Sequence, residues 1–209
     1  MAKNKSLNGW IVTGWLALSD LVIVGAAAAS VGLSEEGVRI LVRLTARISF
    51  VLFCAAFVAS SLRALWPNSF TTWLLRNRRY VGVGFAFAHF VHFGTLVLLR
   101  ETYPAVWAEL VTPGLIILGG SGYVFIALMT ATSFDNTTRW LGAKRWKTLH
   151  LIGGYVIWLV FVLTYIPRAV RSVVFVPAAV LVLGVFGLRM WRAWASRKRG
   201  GHFRAASPG

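Results

Sequence analysis

Acidic side chains are scarce in this chain. Six Asp and Glu stand against 22 Lys and Arg, and charged residues of either sign make up only 13% of its 209 residues. An average soluble domain carries roughly 25% charge. So few charges cannot cover a water-exposed surface, so most of the chain must face lipid or other apolar helices. Cysteine is scarcer still. The lone Cys54 excludes an internal disulfide and a thiolate metal site, and its place inside an apolar run reads as a small buried residue. The chain also lacks a Gly-rich phosphate loop.

What is abundant is apolar: 57% of the residues, with a mean hydropathy of +0.69. A membrane helix needs ~20 mostly apolar residues. Six segments qualify, at about 10–31, 48–66, 80–99, 110–132, 149–166 and 173–194, of which the fifth is the shortest. The expected fold is all-α, an integral membrane bundle of six transmembrane helices over residues 1–196, followed by a basic flexible tail over 197–209. The polar, basic stretch before Trp10 precedes an apolar run too long for a signal-peptide core, so that run is expected to be the first membrane helix.

The cations sit between the apolar runs. That pattern suits topology and lipid headgroups rather than nucleic acid, which would need a soluble basic surface. Lys3 and Lys5, then Arg76, Arg78 and Arg79, then Arg139, Lys144, Arg145 and Lys147, then Arg197, Lys198, Arg199 and Arg204 all fall on one side of a six-span bundle. The positive-inside rule makes that side cytoplasmic and puts both termini there. The opposite loops mix Glu35, Glu36, Glu101 and Glu109 with Arg39, Arg43, Arg100, Arg168 and Arg171.

Ionisable residues inside a bilayer are costly and mark function. Asp20, His89, His92 and His150 are the candidates. Asp20 fits either a proton relay or a satisfied polar pair. His89 and His92 are three apart, on one face of the third span, with Gly82 on the same helix. His150 opens the fifth span and is followed by Gly153 and Gly154. Glycines beside imidazoles let a flat ligand approach the backbone. A porphyrin is such a ligand, and imidazole is a common axial ligand of its iron. The competing reading makes each histidine a polar helix–helix contact. Axial ligands lie on opposite faces of the ring, so His89 and His92 cannot share one iron. A bis-histidine heme would pair one of them with His150, and at most one such heme fits. His202, in the tail, is not a ligand candidate. Arg39, Arg43 and Arg47 recur every fourth residue, a stripe that suits either carboxylates of a porphyrin or headgroups.

Two stretches carry a resemblance. The third span reads RRYVGVGFAFAHFVHF, and the run into the fifth reads MTATSFDNTTRWLGAKRWKTLHLIGGY. Both resemble the ferric reductase-like transmembrane domain, most closely its short bacterial branch of heme-binding membrane subunits that serve a periplasmic methionine sulfoxide reductase. Arg78, Arg79, Gly82 and His92 match in the third span. Thr132, Ser133, Asp135, Arg139, Leu141, Gly142, Trp146, Leu149 and His150 match in the second stretch, and Arg47 and Ser49 resemble the family's Arg–x–Ser.

The resemblance implies a heme b relay across the membrane, with His150 and either His92 or His89 on the iron and Arg47, Arg78, Gly82 and Gly153 about the ring, while the histidines present allow one heme at most. It also implies electrons arriving from quinol or from the flavin of a partner protein, a periplasmic reductase as acceptor, and a place in the bacterial inner membrane. His92 is the family position, and His89 is nearer in depth to His150. The sequence departs from the family at Leu163, where a second histidine of the fifth span is usual. At 1.5 Å per residue, His92 lies roughly 20 Å beyond Arg79 while His150 lies only about 5 Å beyond Lys147. A membrane scaffold or assembly subunit on the same fold, with heme binding altered or lost, is the alternative.

Overall fold

In the computed structural model, residues 8–205 are described, with side chains to Lys198. Lys3 and Lys5, the side chains of Arg199, His202 and Arg204, and residues 206–209 of the expected tail lie outside the described residues.

Among the described residues eight α-helices follow one another: α1 (Trp10–Val31), α2 (Glu35–Leu65), α3 (Ser69–Thr102), α4 (Pro104–Leu110), α5 (Pro113–Ala131), α6 (Asp135–Leu141), α7 (Ala143–Arg171) and α8 (Val176–Ala205). A single 3-10 turn, Val173–Phe175, leads into α8. Among the described residues six of these helices are long and apolar enough to cross a membrane, and α4 and α6 are short connectors. The six expected spans are all present, and the protein is an all-α, multi-pass membrane bundle.

Helices α2, α3 and α7 outrun the apolar limits read from the sequence because local capping and turn geometry, not hydropathy, set helix ends. Ser34 caps α2 by accepting from the Gly37 amide, and Glu35 and Glu36 occupy the positive first turn. Helix α2 therefore starts 13 residues before the apolar run does. Asn68 and Thr71 form a reciprocal capping box that starts α3 directly after Pro67. Thr112 caps α5, and Pro113 takes its first position, where a missing N–H does no harm. One expectation is reversed. The fifth span is not the shortest: α7 has 29 residues and α5 only 19. The sequence KRWKTL reads as a loop by charge, yet Gly142, at φ +80°, opens α7 immediately before it. Pro167, expected near a span end, lies inside the last turns of α7.

Packing centres on α2, which lies against α1, α3 and α8, while α5 joins through α7 and α3. The core is aromatic. Phe50, Phe53 and Phe57 of α2 meet Phe85 of α3, Ile126 of α5, Ile157, Phe161 and Tyr165 of α7, and Val182 and Val185 of α8. Lipid tails are as apolar as leucine, so this assembly rests on close fit rather than on escape from water. Gly84 illustrates the fit. A Cβ there would come within 2.7 Å of Leu16 Cδ1, so α1 crosses α3 where α3 has no side chain. Around the core, Ile117, Val124, Leu159, Val180 and Leu183 face outward to lipid.

Candidate functional site

The three intramembrane histidines fall into two places. His89 and His92 turn toward α2. His89 Nδ1 lies 3.1 Å from Ser49 Oγ, and His92 Nδ1 lies 3.0 Å from Thr45 Oγ1, which itself contacts Thr95 Oγ1 at 3.1 Å. Tyr123 of α5 donates to the His89 carbonyl. The His89 ring packs between Phe85, Tyr123 and Phe161, with the His92 ring 5.5 Å away. Each imidazole thus has a hydroxyl partner from a neighbouring helix, the polar-contact arrangement that lets such groups sit in a membrane.

His150 stands elsewhere. Its ring stacks on Trp146, one turn earlier in α7, with centroids 4.2 Å apart, and its Nε2 lies 3.3 Å from Thr132 Oγ1 at the end of α5. Trp146 is fixed in turn by its indole N–H, which donates to the Thr132 carbonyl. His150 forms part of the wall of a cavity of about 270 Å³ between α2, α3, α5, α7 and α8. Facing it are Phe53 and Phe57 of α2 and Phe85 of α3. Gly82 adds a stretch of bare backbone, since a Cβ built there would meet nothing within 4 Å.

The electrostatics of this cavity are one-sided. Arg78 and Arg79 of α3, Lys147 of α7 and Arg189 of α8 line it, and no Asp or Glu does among the described residues. Arg79 is held at its edge. Its Nε donates to the Ser133 carbonyl and its Nη1 to Asp135 Oδ1 at 2.6 Å, while Nη2 is buried with no hydrogen-bond partner. That bond and the adjacent guanidinium charge hold the Asp135 carboxyl below the usual carboxylate range. Arg189 donates to the Phe57 carbonyl at 2.7 Å and lies over the rings of Phe57 (4.2 Å) and Tyr155 (5.2 Å).

Of the residues singled out in the sequence, the fold brings His150, Arg78 and Gly82 to this cavity. It does not bring His89, His92 or Arg47 there. Gly153 is buried behind the wall, against Met129 and Phe125. The arginine stripe on α2 is mostly occupied: Arg39 pairs with Glu35 and Glu36, and Arg43 with Glu36. Arg47 is exposed. Leu163, at the family's second histidine position, is 47% exposed on the outside of α7, and the inward places beside it are filled by Phe161 and Tyr165. Trp158 donates to the Val182 carbonyl and stacks on Phe186. These aromatics pack against α2 and α8. Asp20 is 2% exposed, and both of its oxygens lack a partner. Sequence reasoning missed Arg189. Its signal was an arginine inside the sixth apolar run, one turn before Arg192, a position that needs a reason in a bilayer.

No protein-family model and no solved structure matches the chain. Curated proteins do. The chain is 28% identical to a protein of Ralstonia nicotianae over 207 residues, covering 96% of this chain and 93% of that one. It is 29% identical to one of Polaromonas naphthalenivorans over 183 residues, covering 83% and 80%. It is 31% identical to one of Cronobacter sakazakii over 170 residues, covering 79% and 81%. Each of the three is named protein-methionine-sulfoxide reductase heme-binding subunit MsrQ.

Proposed function

The chain belongs to the MsrQ family of heme-binding subunits of protein-methionine-sulfoxide reductase, and from that premise we propose that it holds one heme b in the cavity around His150 and serves as the membrane electron-transfer subunit of a partner reductase. The observation that carries the reading is the composition of that cavity. One imidazole, apolar aromatic walls, a bare glycine and four cations, of which Arg79 alone has an acidic partner, meet in one place. Those are the groups a porphyrin asks for: a nitrogen ligand, flat apolar surface, and positive charge for its two carboxylates. The buried, unpartnered Nη2 of Arg79 supports the fit, since a buried donor without an acceptor is costly.

When bound, the heme supplies one-electron redox chemistry. The protein does the rest. His150 presents a ring nitrogen, and Trp146 and Thr132 fix the plane of its imidazole. Phe53, Phe57 and Phe85 exclude water from the cavity. With one cysteine, the chain cannot make the paired thioether attachment of a c-type heme, so binding is non-covalent.

The donor is quinol or the flavin of a separate protein, and the acceptor a periplasmic methionine sulfoxide reductase. The chain sits in the bacterial inner membrane with its basic face, which carries the α2–α3 and α5–α7 connections, in the cytoplasm. A reduced-minus-oxidised absorption spectrum of the purified full chain tests the heme. A b-type spectrum is expected in the wild type and its loss in His150→Ala. A wild type without such a spectrum returns the scaffold reading to first place.

A further inference from the structure

We infer that Arg189 and Arg79 form a clamp for the carboxylates of the bound porphyrin, so that the ring's carboxylate edge points to the basic face of the bundle. The inference rests on the heme reading above and goes beyond it, because it assigns positioning residues and an orientation.

The argument starts from charge. Arg189 lies on α8 with Val185, Phe186 and Leu188 before it and Met190 and Trp191 after, and Arg192 follows one turn on. An arginine inside a span is costly unless a partner neutralises it. Glu35, Glu36, Glu101 and Asp135 are the acids in ion pairs among the described residues, and none of them pairs with Arg189. Instead a backbone carbonyl and two aromatic faces hold its guanidinium at the cavity wall. Those contacts satisfy part of its hydrogen-bonding capacity and none of its net charge. A guanidinium has five donors, and Arg189 commits one to Phe57.

Arg79 faces the same cavity from α3. Asp135 and the Ser133 carbonyl fix two of its nitrogens and aim the third, Nη2, at no acceptor. Arg78 lies within electrostatic reach of Arg189 and Arg192, so the cations crowd one another as well. Two guanidinium groups on the wall of one cavity whose lining has no acid, one of them paired with Asp135 outside that lining, suit a ligand with two carboxylates on one edge. A phospholipid phosphate shares that chemistry. The imidazole and aromatic walls between the arginines favour the porphyrin.

Hemin and hemin dimethyl ester, in which both carboxylates are masked, separate the possibilities. Full-length chain from heme-depleted cells is titrated with each by absorption, in wild type, Arg189→Gln, Arg79→Gln and Arg189→Lys. The wild type should prefer hemin by at least ~10-fold, the scale of one charge-assisted hydrogen bond. Each Gln variant should shrink that ratio by about the same factor, and Arg189→Lys should restore part of it.

A purely structural role for Arg189 would weaken both ligands alike and leave the ratio unchanged, which would overturn the clamp. Equal binding of the two ligands by the wild type would also overturn it while leaving the heme reading intact. Binding of neither would instead defeat the heme reading. The titration is repeated in nanodiscs of phosphatidylcholine and of phosphatidylglycerol. A hemin preference that disappears only in the anionic lipid would give the arginines to headgroups and overturn the assignment.

Discussion

A histidine in a membrane is informative only together with what its two nitrogens do. His89 and His92 match the expected porphyrin ligands by residue type, and His92 by family position. Each has its Nδ1 within hydrogen-bond distance of a hydroxyl on α2, as His150 has its Nε2 near Thr132 Oγ1, so position separates them: His92 lies six residues, or ~9 Å, along α3 beyond Ala86, the last residue of α3 that lines the cavity. His150 alone among them shares a cavity with cations and flat aromatic walls. The expected consequence is asymmetric. His150→Ala should lower heme per chain at least 10–100-fold, since even outer-shell partners of a metal site are worth about that much. His92→Ala and His89→Ala should stay within about 2-fold of wild type. Pyridine hemochrome assay on protein normalised by amino-acid analysis decides it, and a His92→Ala variant that loses its heme while His150→Ala keeps it would move the site up the bundle.

Asp135 gives a second test at the residue scale. Its carboxyl titrates below the usual range because Arg79 donates to it and places a positive charge beside it. A group with a depressed folded value stabilises the folded form above its unfolded pKa of ~3.9, and that contribution disappears as pH falls through the folded value. Amides of the α5–α7 connection should therefore lose hydrogen-exchange protection only below about pH 4. Asp135→Asn should show the reduced protection at every pH, with no acid limb. The effect should be small, as for other exposed ion pairs.

At the scale of elements, the sequence made the spans legible and their ends much less so. Hydropathy finds where a helix meets lipid. It does not see that Ser34 can cap α2 or that Gly142 can start α7 in the middle of a basic stretch. Both helices therefore carry one or more turns outside the apolar run. The periodic arginines of α2 were legible as a stripe, but their partners were not. Glu35 and Glu36 reach Arg39 and Arg43 only because the helix begins early enough to put them one and two turns away.

Helix crossings were illegible from one chain. Gly84 is one of 20 glycines, and only the fold shows that Leu16 rests on it. Gly84→Leu should push α1 off α3 and cost about 1–3 kcal/mol, the usual range for overpacking. Leu16→Ala in the same chain should recover part of that loss. Thermal unfolding in detergent, followed by circular dichroism, measures both. A Gly84→Leu protein as stable as wild type would show that the crossing is loose.

For the whole molecule, the question is how far electrons travel. The cavity lies at the end of the bundle that carries Arg78, Arg79 and Lys147. From Ala86, the last residue of α3 that lines the cavity, to the end of α3 at Thr102 is 16 residues, or ~24 Å of helix, most of the hydrocarbon thickness. In the family pattern a second histidine at position 163 would help to hold a second ring beyond the first. Here Leu163 faces lipid, and Phe50, Phe161 and Tyr165 occupy the interior at that level with ring centroids 4.6–6.2 Å apart. Aromatic packing this close leaves no slot for a porphyrin without moving α7. With the proposed site, one heme per chain is then the ceiling, and it would lie toward the basic face. Tunnelling weakens steeply with distance, so a single ring there cannot reach an acceptor docked on the far face. Electrons would have to continue through a bound quinone, or through a partner whose own cofactor reaches into the outer half of the bundle. Liposomes holding only this chain, with dithionite outside and a trapped acceptor dye inside, should show no dye reduction above protein-free vesicles. Adding a membrane-soluble quinone should start it. Dye reduction without quinone, or two hemes per chain by hemochrome assay, would mean that the outer half carries a redox centre after all. His89 and His92 would then be the first residues to mutate.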